Sequence, residues 1–298
     1  MTWLRIAGLL GFMAILTTTG LVRADANKPD PTQKQLAKTP ALTPAKDKKE
    51  AVSLKIEHLE AARNGWQVAE TANFRIFHKQ PKEKAEEVAR VAESARADIQ
   101  KRWFGDKLIK DAILKCEIYV HANSADYRKE TKVPDYVAGH FSYSTQDGRV
   151  VTNCINIALD SIDKMKSIVM HETTHVILYE NFGKAMPRWA NEGMAVLAEP
   201  RNSINGMLRY LPKDKDELFG VQFLMEMHDY PRAADLPIFY AQSVSIVDFM
   251  VKEKGPTTFV DFLKDARKQG YSKAVQQHYG CDFPELEKRW LKHTGKYK

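Results

Sequence analysis

The sequence contains His171-Glu172-Thr173-Thr174-His175, in which two histidines stand four residues apart. On an α-helix, residues at this spacing lie on one face with Cβ atoms about 5–6 Å apart, so both imidazoles can bind one metal ion. Glu172 follows His171 by roughly 100° around the helix, where its carboxylate can reach a water on the metal without becoming a ligand. We therefore predict His171 and His175 as zinc ligands and Glu172 as the general base.

The residues around this segment predict a buried helix. Residues 162–179 contain no Gly or Pro and keep apolar residues at helical spacing. Burying two imidazoles without partners would cost on the order of 2 kcal/mol or more each, so the histidines need a partner there. The alternative, a chance match to a five-residue pattern, does not account for this context.

A catalytic zinc ion has three protein ligands and one open position. The third ligand that we predict is Glu192, in a segment that begins at Pro187 and has helical composition over residues 188–199. Gly193 would let another helix or a substrate backbone come close to this ligand. Glu199 lies two turns beyond Glu192 on the same face, where it could accept a hydrogen bond from a ligating histidine and fix its tautomer. The alternative for Glu199 is an exposed helix end.

The pattern His-Glu-x-x-His followed by Trp-x-x-Glu-Gly-x-Ala resembles that of the gluzincin metallopeptidases, and most closely the peptidase MA-like domains of exported bacterial proteins. The resemblance implies an α+β, thermolysin-like fold. In that fold a small mixed sheet with helices is followed by a mostly helical half, and the zinc site lies in the cleft between them.

The same resemblance implies roles for individual residues. It implies His171, His175 and Glu192 as zinc ligands. It also implies Glu172 as base and Glu199 as a residue that supports a ligand. The segment before the zinc helix lacks the Gly-x-Met-Glu-Asn sequence with which aminopeptidases hold a free amine, so an endopeptidase is expected rather than an aminopeptidase.

Gluzincins usually supply a tyrosine or histidine from the C-terminal half to stabilise the oxyanion, a contribution of roughly 3 kcal/mol for a well-placed donor. By this resemblance Tyr240, just before a predicted long helix, is a candidate, and His228 is its rival. The alternatives are a core tyrosine and a solvated loop histidine.

Apolar alternation and helical spacing predict the elements before the zinc helix. The predicted strands cover residues 66–70, 73–78 and 115–121. The predicted helices cover residues 53–62 and 82–103, and residues 122–133 form a polar loop. A hairpin of residues 139–144 and 149–157 turns at Asp147-Gly148.

This hairpin stands where, in gluzincins, an edge strand pairs with an extended substrate; the alternative is that it only completes the sheet. His121 and His140 are expected to be sheet residues rather than ligands, because three ligands are already assigned.

The elements after the zinc helices are predicted to be mostly helical. Residues 200–212 form a loop and residues 216–227 a helix. A long helix introduced by residues 236–243 runs to Lys254 and stops at Gly255-Pro256. Helical patterns continue over residues 257–266 and 273–293.

The N-terminal part is predicted to be a targeting segment and a linker. Residues 1–26 resemble an export signal, with a short apolar run and a cleavage site after Ala24 or Ala26; the alternative is a retained anchor. Residues 27–52 are rich in Lys and Pro and form a flexible linker, which could make weak contact with a membrane or cell wall. Residues 53–298 form one metallopeptidase domain, with the sheet and zinc helices in 53–199 and the helical half in 200–298.

The charge gives no sign of a nucleic-acid partner. Residues 1–50 hold eight Lys or Arg and four Asp or Glu, so this segment carries +4 of the net +7 and leaves only +3 for the rest. Three cysteines allow one disulfide and one free thiol, and Cys116 with Cys154 is the easier pair because both fall in neighbouring predicted strands; Cys281 is the third.

The sequence thus favours an exported zinc metalloendopeptidase that acts on a peptide or protein substrate. The alternative is a catalytically inactive, zinc-bound module that binds peptides or cell-wall material, although such a module would not need Glu172. A purely structural protein would bind no metal in stoichiometric amount.

Overall fold

The computed structural model describes residues 54–63, 65–105, 112, 114–135, 137–146, 149–160 and 162–295. The predicted export signal, the linker and the Asp147-Gly148 turn lie outside these residues. The described residues divide into two compact units, one of residues 54–99 and 112–180 and one of residues 100–105 and 181–295. A search of the helices in these ranges found none with the length and apolar character needed to cross a membrane.

The first unit is built on a six-stranded mixed sheet. Its strands are β1 (Glu57–Arg63), β2 (Trp66–Glu70), β3 (Phe74–His78), β4 (Cys116–His121), β5 (Gly139–Gln146) and β6 (Arg149–Ala158). They lie in the order β1-β2-β3-β4-β6-β5. β3, β4 and β6 are parallel, whereas β1, β2 and β5 pair antiparallel with their neighbours. The predicted hairpin is therefore confirmed, and β5 is an edge strand.

Helices α1 (Lys82–Phe104) and α3 (Ile162–Phe182) contribute to one core with the sheet, and α2 (Ser124–Thr131) follows β4. Alternate residues of the central strands face this core, and apolar residues at helical spacing on α1 and α3 meet them. The core includes Ile118, Val120, Ile155, Ile157, Val88, Ala92, Ile168 and Val169, all buried. Burying a Val, Leu or Ile side chain contributes roughly 1.5–3 kcal/mol. This packing holds α3, the helix that carries His171 and His175, against the sheet.

Two secondary-structure predictions for the first unit are wrong. Residues 53–62 were expected to be helical, but β1 occupies most of them and pairs with β2, with Leu59 opposite Val68. Pairing with the sheet overrides the helix-favouring Leu, Glu and Ala residues there. Residues 122–133 contain helix α2, because Asn123 accepts a hydrogen bond from the backbone N–H of Asp126 and Tyr127 buries its ring.

The predicted disulfide between Cys116 and Cys154 does not form, since all three cysteines are free thiols. The register of the sheet explains this result. Cys154 pairs with Glu117 on the parallel strand β4, so its side chain shares a face with Glu117, and Cys116 points to the opposite face. Two sulfurs on opposite faces of a sheet cannot be bridged.

The second unit is helical. Its helices are α4 (Arg188–Ala198), α5 (Arg201–Leu208), α6 (Val221–Glu226), α7 (Leu236–Lys254), α8 (Pro256–Gln269), α9 (Tyr271–Tyr279) and α10 (Phe283–Thr294). The expected α+β class, a sheet with helices followed by a mostly helical part, is confirmed. The predicted loop at 200–212 is wrong, because α5 occupies most of it, and the helix predicted at 216–227 shrinks to a 3₁₀ turn and α6.

Helices α4 and α7 approach each other at Gly193. A Cβ atom added there would lie 2.6 Å from both the backbone oxygen of Ser243 and Cγ2 of Val247. Gly193 therefore allows a helix to come close, which was one of the two uses predicted for it. Because Glu192 is its neighbour, this contact fixes the position of the predicted third ligand on α4.

Candidate metal centre

His171 and His175 lie one turn apart on α3, as their spacing predicts. Their ring centroids are 4.8 Å apart and their planes are inclined by 81°. Both residues are buried, His171 completely and His175 to within 2%. The two imidazoles therefore converge on the same region inside the protein.

Glu192 on α4 joins this pair. The ligand atoms offered by His171, His175 and Glu192 all lie within 4.8 Å of one another, and all three residues are buried. Zinc bonds of about 2.0–2.2 Å place tetrahedral ligand atoms roughly 3.5 Å apart, so the three groups could hold a single ion once the widest of their separations narrows. Two imidazoles and one carboxylate are also the donor set of several catalytic zinc sites, which leave a fourth position open.

Glu172 is completely buried on α3, next to His171. The pKa of the Tyr127 hydroxyl is raised, mainly by burial. The negative charge of the Glu172 carboxylate raises this pKa further. This buried carboxylate directly after His171 agrees with the position predicted for a general base.

His121 and His140 are bonded within the first unit, as expected of residues that are not ligands. Nε2 of His121 lies 3.1 Å from Oδ1 of Asn156. Nδ1 of His140 and the hydroxyl of Tyr127 form a hydrogen bond of 2.7 Å. Burial, with a smaller contribution from His121, lowers the pKa of His140 to about 4, so this imidazole is neutral near pH 7.

Tyr230 is a site residue that the sequence reasoning missed. Its hydroxyl donates a hydrogen bond of 2.5 Å to Oε1 of Glu192. Burial, the charge of Glu192 and this hydrogen bond hold the pKa of Tyr230 well above its usual range, and Arg188 acts against the rise. Tyr230 stands in an irregular segment, where periodicity gives no signal; the only clue was its place two residues after His228.

Arg188, the first residue of α4, contacts Tyr230 and the segment that carries it. Its Nε atom donates a hydrogen bond of 2.8 Å to the backbone oxygen of His228. Its guanidinium carbon lies 4.5 Å from the centroid of the Tyr230 ring, a cation–π distance. The rings of Phe239 and Tyr230 form a T-shaped contact with centroids 5.7 Å apart. Arg188 is four residues before Glu192, so the two lie on one face of α4.

The other predicted site residues occupy distinct environments. Tyr240 is buried in α7, with its ring 5.7 Å from that of Phe239. His228 is exposed, and its backbone oxygen is the atom that contacts Arg188. Glu199 is the C-cap of α4 and only 2% exposed, so the alternative of an exposed helix end is wrong. Its hydrogen bond to a ligating histidine stays a prediction.

Comparison with known families decides the assignment. A family model described as the Peptidase MA superfamily matches residues 107–295, which is more than half of the chain. The chain belongs to the peptidase MA superfamily. The matched residues include the proposed ligands, Glu172 and Tyr230, and the α+β fold is consistent with a peptidase MA domain. Peptidase MA proteins are generally metal-dependent peptidases, in keeping with the buried group of His171, His175 and Glu192.

A search of curated proteins found no match to this peptidase MA chain.

Proposed function

We propose that this protein is an exported zinc-dependent endopeptidase in which Glu172 is the general base. One observation carries the proposal: His171, His175 and Glu192 bring their ligand atoms within 4.8 Å of one another in a buried position. The peptidase MA assignment supports it, because the match spans these residues and the base between the histidines.

A zinc ion held by these three residues would lower the pKa of a coordinated water toward neutrality and polarise a peptide carbonyl. Glu172 takes the proton from the attacking water as the oxygen bonds to the carbonyl carbon. When the C–N bond breaks, the same carboxyl group gives the proton to the leaving amine. Burial of Glu172 keeps this proton from exchanging with bulk water between the two transfers.

Tyr230 is the residue that we propose as donor to the oxyanion. Its hydroxyl is already next to the proposed ligand Glu192, whereas Tyr240 packs in α7 and His228 is exposed. A hydroxyl that remains protonated at neutral pH, as the raised pKa of Tyr230 implies, can donate throughout the reaction. We therefore place Tyr230 ahead of Tyr240 and His228 in this role.

The substrate that we propose is an extended peptide or unfolded protein. β5 is an edge strand that pairs with β6 on one side, and its other edge can add a strand of substrate by backbone hydrogen bonds. Such pairing accepts many sequences, as an endopeptidase requires. Export rests on residues 1–26, with cleavage after Ala24 or Ala26, and the mass of the mature N-terminus in secreted or periplasmic fractions would test it.

The test of the activity is a digest of a peptide library by the zinc-loaded wild type and by the Glu172→Gln variant. We expect chelator-sensitive cleavage by the wild type and none by the variant, although elemental analysis should find one zinc per chain in both. Zinc without hydrolysis in the wild type would instead support a module that only binds peptide or cell-wall material. Absence of stoichiometric zinc would contradict both functions.

A further inference from the structure

Arg188 carries a positive charge that no carboxylate in the described part of the chain balances. Its Nε atom is bonded to the backbone of His228 and its guanidinium lies over Tyr230, but its Nη1 atom is buried without a hydrogen-bond acceptor among the described residues. Two other arginines are balanced: the buried Arg96 pairs with Glu180 and the half-buried Arg289 pairs with Glu253. Arg188 differs from them in having no carboxylate partner among the described residues.

A buried donor without an acceptor is unfavourable unless a partner arrives, since such a group loses its water without compensation. The planar guanidinium fork fits a carboxylate better than it fits any neutral group. The Nε bond and the contact with the Tyr230 ring would suffice to position Tyr230. Neither contact gives Nη1 a hydrogen-bond acceptor. Arg188 lies one helical turn before the proposed ligand Glu192.

We propose that Arg188 receives a carboxylate of the bound peptide and makes the enzyme prefer substrates that carry one beside the cleaved bond. The inference rests on the proposed peptidase function and names its substrate class. The carboxylate can come from an Asp or Glu side chain or from the C-terminus of the peptide. Both sources present the same two oxygens to the guanidinium, so the experiment must separate them.

The test uses matched peptides that differ in one group. One arm compares Asp with Asn and Glu with Gln at each position around the cleaved bond, and the other compares a free C-terminus with its amide. For the wild type we expect kcat/KM to be about tenfold to a hundredfold higher for the carboxylate member of one arm, as for a charged hydrogen bond. In Arg188→Gln the two members of that pair should be cleaved with nearly equal kcat/KM, because the KM of the carboxylate peptide rises more than that of its neutral partner.

Two further variants serve as controls for this interpretation. Arg188→Lys keeps the charge without the planar fork and should retain part of the preference. Arg232→Gln also removes one positive charge close to Tyr230 in sequence, but the Arg232 side chain is 85% exposed and paired with Asp235, so the preference should stay intact. Circular dichroism of each variant checks that the fold persists.

Peptide binding to the Glu172→Gln protein, measured by calorimetry, gives a readout that needs no turnover. Addition of Arg188→Gln should weaken binding of the carboxylate peptide about tenfold to a hundredfold more than binding of its neutral partner. An equal loss for both peptides, or a wild type without preference, would overturn the inference and leave the peptidase function standing. A wild type that binds these peptides through Arg188 but cleaves none would overturn the peptidase function alone.

Discussion

The hydroxyl of Tyr230 and the carboxylate of Glu192 form a hydrogen bond of 2.5 Å that joins an irregular segment to helix α4. Because Glu192 is the proposed third ligand and Tyr230 the proposed oxyanion donor, this bond joins the two proposed roles. Replacing Tyr230 should therefore affect both catalysis and metal binding.

For Tyr230→Phe we expect kcat to fall about 10²–10³-fold, as for loss of one oxyanion donor. Zinc affinity should fall less, by about tenfold, since the variant loses a partner of a ligand and not the ligand itself. Steady-state kinetics and competition with a zinc chelator measure the two effects. Tyr240→Phe is the matched control, and a loss of kcat in that variant alone would return the donor role to Tyr240.

The metal site also predicts how zinc stabilises the protein. Zinc at a hundred times its dissociation constant should raise the free energy of unfolding by about 2.7 kcal/mol. Glu192→Ala should abolish most of this rise in a thermal melt with added zinc. Glu199→Gln should weaken zinc binding by about 10–100-fold if Glu199 holds a ligating histidine. Equal behaviour of Glu199→Gln and the wild type would remove Glu199 from the site.

The close contact at Gly193 predicts that two Gly→Ala substitutions change stability in opposite directions. Gly193→Ala should destabilise the protein by about 1–3 kcal/mol, because its Cβ would meet Ser243 and Val247 at 2.6 Å. Gly206 on α5 has nothing within 4 Å of an added Cβ, so Gly206→Ala should stabilise by about 0.5–1 kcal/mol. Urea denaturation midpoints compare the two. A neutral Gly193→Ala would show that α4 and α7 are not locked together there.

His140 predicts a loss of stability in acid. Its folded pKa of about 4 is below the ordinary value of 6.5, so the unfolded chain takes up the proton first. The stability that His140 contributes is present above pH 6.5 and is lost as the pH falls toward 4, by about 3 kcal/mol in total. The slope of unfolding free energy against pH, measured with chelator present, should be smaller in His140→Gln. Identical slopes would contradict a neutral, buried His140.

The sequence was most informative where one physical pattern dominated. The helical spacing around His171 and the strand alternation around Ile118 predicted elements that the structure confirms. β1 was missed although the sequence marks it: Asn64-Gly65 between residues 57–63 and 66–70 is a two-residue hairpin signal, which was given less weight than the helix-favouring Leu, Glu and Ala residues. Tyr230 was missed for a different reason: its bond to Glu192 spans 38 residues and no periodicity marks it.

The short helices α2 and α5 were missed because each has eight residues, too few for a clear apolar stripe. In α2 the signal was a single cap, Asn123, and one buried ring, Tyr127. The cysteine prediction failed on register, since the strand order was right but a one-residue offset reversed the face of Cys116.

The contact between Gly193 and the backbone of Ser243 has a consequence for engineering. A side chain can change rotamer to accommodate a new neighbour, but a main-chain carbonyl cannot. The Ser243 carbonyl therefore excludes any larger residue at position 193, beside Glu192. Any redesign of the surrounding core for new substrates must therefore keep the glycine and fit new side chains around a fixed backbone position, so that the carboxylate stays at its present depth.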